Sequence, residues 1–278
     1  MDASTVALAL LSAVLHAGWN AAIKASPRPA EAMTAQMILS AVLMVPLLVW
    51  TGLPGIVTVP WIVMATGFNI LGVTAMLRAY EMAGFGTVYP MVRALTVMLV
   101  VPLTVLLSGD VLRPWGVAGV GLIATSLLLL AFGSRGPHAT APRAIPWILL
   151  SGAAIAVVVV CDAQAVRRSN APLAYGCVAS LTNALFMAWR QRSLGHPWRM
   201  ITENVSVALP ASVASAISFL MILWVYNIAP IAAAAALRDT SAVLALLIAV
   251  FWLREPLSRM RIAAILLAAA AVPLLRLA

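Results

Sequence analysis

Ten stretches of this chain are each long and apolar enough to lie in oil. A helix crosses the hydrocarbon layer of a bilayer with about 20 mainly apolar residues, and within that layer every backbone amide must find its partner inside the protein. Pro, Gly and charge divide the chain into segments at 4–24, 31–52, 57–82, 86–108, 114–133, 145–166, 171–190, 206–228, 231–252 and 259–277. Two connections exceed ten residues, "GSRGPHATAPRA" (133–144) and "QRSLGHPWRMITEN" (191–204). Neither has room for a soluble catalytic or nucleotide-binding domain. The expectation is an all-α integral membrane protein of ten transmembrane helices, surrounded by membrane lipid.

Charge and cysteine content exclude other classes. Hydrophobic residues make up 64% of the chain and charged residues 9%, against roughly 25% charged in a soluble domain. The isoelectric point near 11 does not point to nucleic acid, because the basic residues lie singly or in pairs between apolar runs, where they meet water and anionic headgroups. Cys161 and Cys177 lie inside apolar segments with no CxxC or Cys/His spacing, so neither a disulfide framework nor a metal site is expected. The chain opens "MDASTVALALLSAVLHAGWNAAIKAS" with no positive charge before Lys24, unlike a secretory signal peptide; the first segment is expected to be retained.

The 134–144 linker leaves five segments on each side. Shifting the first half by 145 residues places Arg93 on Arg238, Thr96 on Ser241 and Asp110 on Glu255, with several Ala, Leu and Val matches that apolar composition alone produces. Five is an odd number, so a second copy enters the membrane with the opposite orientation. The expected architecture is two inverted five-helix repeats, 1–133 and 145–278, a plan found in secondary transporters whose substrate site lies where the copies meet.

Polar side chains inside these helices are the candidates for function, since they are costly in lipid and normally face protein or a watery cavity. Segment 1 carries Ser12, His16, Asn20 and Lys24 at intervals of four, beside Trp19; segment 4 carries Tyr89, Arg93 and Thr96 with Pro90 and Pro102 in its interior; segment 9 carries Arg238, Asp239, Thr240 and Ser241. Arg78, Arg93 and Arg238 can balance Glu81, Asp162 and Asp239. Arg238 and Asp239 point about 100° apart and are not natural partners, so each is expected to look to another helix. A structural charge network, with Asp162 and Asp239 as the holders, explains these residues as well as a binding role does. Tyr80, Trp224 and Tyr226 near helix ends are read either as an interfacial belt or as stacking surfaces for substrate. Phosphate-loop, HExxH and GxSxG motifs are missing, as are the GxGD context of an intramembrane aspartyl protease and a channel filter sequence. No enzyme, cofactor, metal or obligatory partner protein is expected.

"LHAGWNAAIK", "YPMVRALT", "LLSGDVL" and "ALRDTSAVLALLIAVFWLREPLS" together resemble the EamA-type exporters of the drug/metabolite transporter superfamily, and within it the bacterial exporters of the aromatic-amino-acid and paraquat type. The resemblance implies ten helices in two inverted halves and export of amino acids or similar small metabolites across the bacterial inner membrane by alternating access. Small multidrug exporters of that superfamily use a glutamate in their first helix, where this chain has His16 and Asn20. Arginine, amide and hydroxyl groups facing a cavity suit a carboxylate-bearing or zwitterionic substrate. The expected substrate-binding set is therefore His16, Trp19, Asn20, Tyr80, Tyr89, Arg93, Trp224, Tyr226, Arg238 and Ser241. The alternative is a multidrug or quaternary-cation exporter, which would rely on aromatic cages; a membrane subunit without transport is a third class. His16, Asp162 and Asp239 could each carry a proton, and simple facilitated export needs none.

Orientation is pulled two ways. With the N-terminus inside, the cytoplasmic side would hold Arg113, Arg167, Arg168 and Arg276, and the opposite side Lys24, Arg28, Arg135, Arg143, Arg190, Arg192, Arg199, Arg254, Arg259 and Arg261. Four against ten places both termini outside. The resemblance implies both termini in the cytoplasm, and the expectation follows it.

Overall fold

Ten α-helices carry the chain in a computed structural model that describes residues 1–83, 85–133, 142–193, 195–244, 247 and 259–278. They are α1 (Ala3–Lys24), α2 (Pro29–Thr51), α3 (Val59–Met82), α4 (Phe85–Ser108), α5 (Pro114–Gly133), α6 (Ile145–Ser169), α7 (Pro172–Arg190), α8 (Pro197–Ile228), α9 (Ile231–Asp239) and α10 (Arg259–Arg276). Short 3-10 turns at Ile56–Thr58 and Pro142–Ala144 lead into α3 and α6, and no strand occurs among the described residues. Among the described residues seven stretches are long and apolar enough to cross a membrane, covering α1 to α6 and α8. Most of the 134–144 linker, Arg135, Arg254, Glu255 and the end of the ninth expected segment lie outside the described residues, as does the side chain of Lys24.

Helix starts follow local chemistry. Asp2 caps α1 by accepting from the Thr5 amide at 2.8 Å, satisfying one of the unpaired donors of a helix N-terminus. Pro29, Pro172 and Pro197 open α2, α7 and α8, where the missing N–H costs nothing. α6 stops at Asn170, which takes a left-handed φ of 49°, a conformation asparagine tolerates better than most residues.

Two boundaries differ from the sequence expectation. α8 begins at Pro197 rather than at 206, because its first turns are polar and look like a loop to a hydropathy reading. The His196 Nδ1 accepts from the Trp198 amide at 3.2 Å and caps it. The ninth segment, expected as one helix from 231 to 252, is interrupted at Thr240 and resumes over 241–244. The Thr240 hydroxyl donates to the Leu237 carbonyl at 2.6 Å, a side-chain bond to the preceding turn that competes with regular helix hydrogen bonding.

Packing pairs helices of the two halves. α1 runs along α8, α3 along α6, α2 along α7 and α8, α5 along α10, and α4 along α5 and α6. α9 sits in the middle, with Ile231 to Leu237 all buried. Its "AAAAA" run lets α1, α4, α5 and α8 approach closely. Serine hydroxyls tie several of the pairs: Ser12 and Ser218 each donate to the other's carbonyl at 2.8 Å, Ser151 donates to Gly72 at 2.9 Å, and Ser126 to Ala264 at 2.7 Å. At Gly152 a Cβ would fall 2.7 Å from Leu95 Cδ2 and 2.9 Å from its Cβ, so glycine is what permits the α4–α6 contact.

Candidate functional site

A cavity of about 170 Å³ opens between the two halves of the chain. Its polar wall comes from six helices: His16 of α1, Thr66 of α3, Arg93 of α4, Asp162 of α6, Tyr175 and Asn183 of α7, and Arg238 of α9. Ile62, Ile155, Val158, Val159 and Phe219 supply an apolar surface. Helical spacing explains the convergence. Arg93 lies eight residues into α4 and Arg238 seven into α9, so each reaches the interior from its own end of the bundle.

The charges are not equally satisfied. Arg93 donates from Nη1 to Asp239 Oδ1 at 3.2 Å, and Asp239 is 4% exposed. The guanidinium also lies 5.1 Å over the Tyr89 ring and places Nη2 3.4 Å from His16 Nε2. Because a guanidinium only donates, that contact assigns the acceptor role to Nε2 and leaves the hydrogen on His16 Nδ1. That nitrogen is buried with no hydrogen-bond partner. Arg238 makes no ion pair among the described residues, and its Nε is likewise buried and unpartnered. Asp162 accepts from the Tyr175 hydroxyl at 2.6 Å and also stands in no ion pair among the described residues.

The remaining sequence candidates divide. Trp19 packs edge-on against His16 with ring centres 5.1 Å apart, and its indole nitrogen is buried without a partner. Asn20 donates back to the His16 carbonyl at 2.8 Å. Ser241 lies one turn beyond Arg238, and its hydroxyl and that of Tyr226 are buried and unpartnered. Tyr80 packs on the Val88 and Val92 cluster at the far end of α3. Trp224 is 47% exposed on the outer face of α8 and does not line the cavity. Ser12 is used up in the α1–α8 contact. Arg78 and Glu81, counted with the buried charges, pair at 2.9 Å with side chains 58% and 59% exposed. Tyr175, Thr66 and Asn183 were invisible to sequence reading, since single polar residues in moderately apolar helices carry no spacing signal.

Away from the cavity, a second charge cluster fastens one end of the bundle. Arg167, at the end of α6, donates to the Tyr226 carbonyl at 2.8 Å, to Asp110 at 2.7 Å and to the Ala229 carbonyl at 2.7 Å. The other oxygen of Asp110 accepts from the Ile231 amide at 3.2 Å. A cation thus sits on the C-terminal carbonyls of α8 and an anion on the first amide of α9, each where the helix dipole favours it. At the opposite end Glu203 pairs with Arg28 and, at 3.3 Å, with Arg199, tying α2 to α8.

Residues 142–277 match the EamA-like transporter family. The matched stretch is just under half of the chain. It contributes Asp162, Tyr175, Asn183 and Arg238 to the cavity. No curated protein matches the chain. Among solved structures, one crystal structure of a protein matches 100% of this chain and 98% of its own length with a TM-score of 0.74. At 18% identity the likeness is one of fold.

Proposed function

We propose that this chain is a secondary transporter of the drug/metabolite type that exports amino acids or similar small zwitterions across the bacterial inner membrane by alternating access. The observation that carries the reading is a surplus of donors at the cavity. Arg93 is neutralised by Asp239, whereas among the described residues Arg238 is in no ion pair, and its Nε and the His16 Nδ1 have no acceptor. Buried donors without acceptors are costly; a carboxylate entering between His16 and Arg238 would satisfy both. The unpartnered Trp19, Tyr226 and Ser241 groups nearby are also able to donate. The apolar wall of Ile62, Val158, Val159 and Phe219 accepts a hydrophobic side chain.

Alternating access between inverted repeats 1–133 and 145–278 is supported by the packing. If each helix of the first half corresponds to the one five places later, the α1–α8 pair corresponds to α3–α6, and both pairs run along each other. The α2–α8 seam corresponds to α7–α3, and these two differ. α2 and α8 are closely packed, while α3 and α7 stand further apart and are joined through side chains, Thr66 to Thr182 at 3.3 Å, Asn69 to Asn183 at 2.9 Å and Arg190 to Thr74 at 3.0 Å. One seam closed and its counterpart ajar is the arrangement expected of a carrier resting towards one side.

The test is flux from purified protein in liposomes, with neutral amino acids and a quaternary dication offered side by side. Movement of neutral amino acids with broad selectivity is the expected result. Transport of the dication alone would replace this reading with that of a multidrug exporter, and no flux for any amino acid or dication would leave a membrane subunit without transport.

A further inference from the structure

Among the described residues four acidic side chains are largely enclosed, and three of them have a cation: Glu31 has Arg28 at 3.3 Å, Asp110 has Arg167 at 2.7 Å and Asp239 has Arg93 at 3.2 Å. Asp162 has none among the described residues. It is 8% exposed, lines the cavity, and keeps one short hydrogen bond, 2.6 Å from the Tyr175 hydroxyl. Other titratable or charged groups face it from the surrounding elements: Arg238 of α9 across the cavity, His16 of α1 and Arg93 of α4 on the far wall, Tyr226 of α8, and Cys161 beside it on α6. α3 contributes only Ile62, Ala65 and Thr66 to this wall. A carboxylate enclosed without a cation is among the most expensive groups a membrane protein can hold, so this one is stable only when something neutralises it.

We infer that Asp162, positioned by Tyr175, is a proton-binding site at which a proton and the ammonium group of the substrate exchange. The inference rests on the reading of the cavity as a zwitterion site. With substrate bound, the carboxylate of Asp162 is balanced by the substrate ammonium while Arg238 and His16 take the substrate carboxylate. As the ammonium leaves on one side, a proton from water on that side joins a carboxylate oxygen, and the Tyr175 hydroxyl keeps the group oriented. When the next substrate arrives from the other side, that proton returns to the water there. No covalent bond other than O–H forms or breaks, and the deprotonated empty state is avoided in both directions. The consequence is exchange of one proton against one substrate molecule.

Two measurements test this on the full-length protein. In liposomes carrying an imposed pH gradient of one unit, one proton exchanged per substrate drives at most about tenfold accumulation of a neutral amino acid. Wild-type protein is expected to approach that ratio, and whatever flux remains in Asp162→Asn is expected to run downhill and to ignore pH. Infrared pH-difference spectra of the same proteins need no substrate. A protonated carboxyl band is expected in the wild type, absent from Asp162→Asn and displaced in Tyr175→Phe, which loses the hydrogen bond. Wild-type accumulation by Asp162→Asn, or amino-acid flux in a wild type that shows neither response to the gradient nor an Asp162 band, would overturn the inference. An Asp162 band in protein that moves no amino acid would overturn the substrate reading and keep the proton site.

Discussion

A shift of the sequence by 145 residues places Arg93 on Arg238, yet their surroundings make them different residues. Arg93 is braced between Asp239, His16 and Tyr89. Removing it leaves Asp239 buried with no charge partner, so Arg93→Ala should cost about 3–5 kcal/mol, read as a lower melting temperature and a lower yield of folded protein. Arg238, in no ion pair, should tolerate Arg238→Lys with an unchanged melting temperature, because the positive charge stays. This difference was only half legible in the sequence. Charge neutrality required carboxylates on other helices to hold the arginines, and the structure places Asp239 against Arg93. Asp162, the other expected holder, forms no ion pair among the described residues, a matter of distances that a sequence does not carry. Tyr175 escaped notice because nothing in "APLAYGCVAS" separates a hydrogen-bonding tyrosine from a packing one.

The elements themselves were easier to read than their ends. Apolar runs of membrane length located α1 to α6 and α8, since lipid leaves the backbone little alternative to forming a helix. α8 was read too short because its first turns, Pro197 to Asn204, are polar, and the break at Thr240 is hidden inside a continuous apolar run. Small residues set helix spacing. Gly152→Ala should force α4 and α6 apart against Leu95 and cost about 1–3 kcal/mol, measurable as a loss of thermal stability. At the α8–α9 elbow, Arg167→Met removes three hydrogen bonds and leaves Asp110 without its cation. A loss of about 3 kcal/mol is expected, again visible in melting, and an unchanged melting temperature would show that the clamp contributes nothing.

At the scale of the whole molecule, the odd count of five segments per half is what the sequence contributed to the inverted-repeat proposal; Glu255, the sequence counterpart of Asp110, lies outside the described residues. The termini lie together, on the same side as Arg167 and Asp110 by the direction of the helices, and we propose that this side is cytoplasmic. A reporter fused to the C-terminus should be active in the cytoplasm; activity confined to the periplasm would reverse the assignment in favour of the charge count. The cavity's role as a carboxylate site is tested most directly by counterflow, in which liposomes loaded with an unlabelled neutral amino acid take up the labelled one. Wild-type protein and Arg238→Lys, both confirmed as folded, are compared. Wild type should show transient accumulation, and the lysine variant, which keeps charge but loses the planar fork, should exchange about tenfold more slowly, the equivalent of one charge-assisted hydrogen bond. Equal exchange rates and equal substrate affinity in the two proteins would contradict a binding role for Arg238, and with it the proposed site.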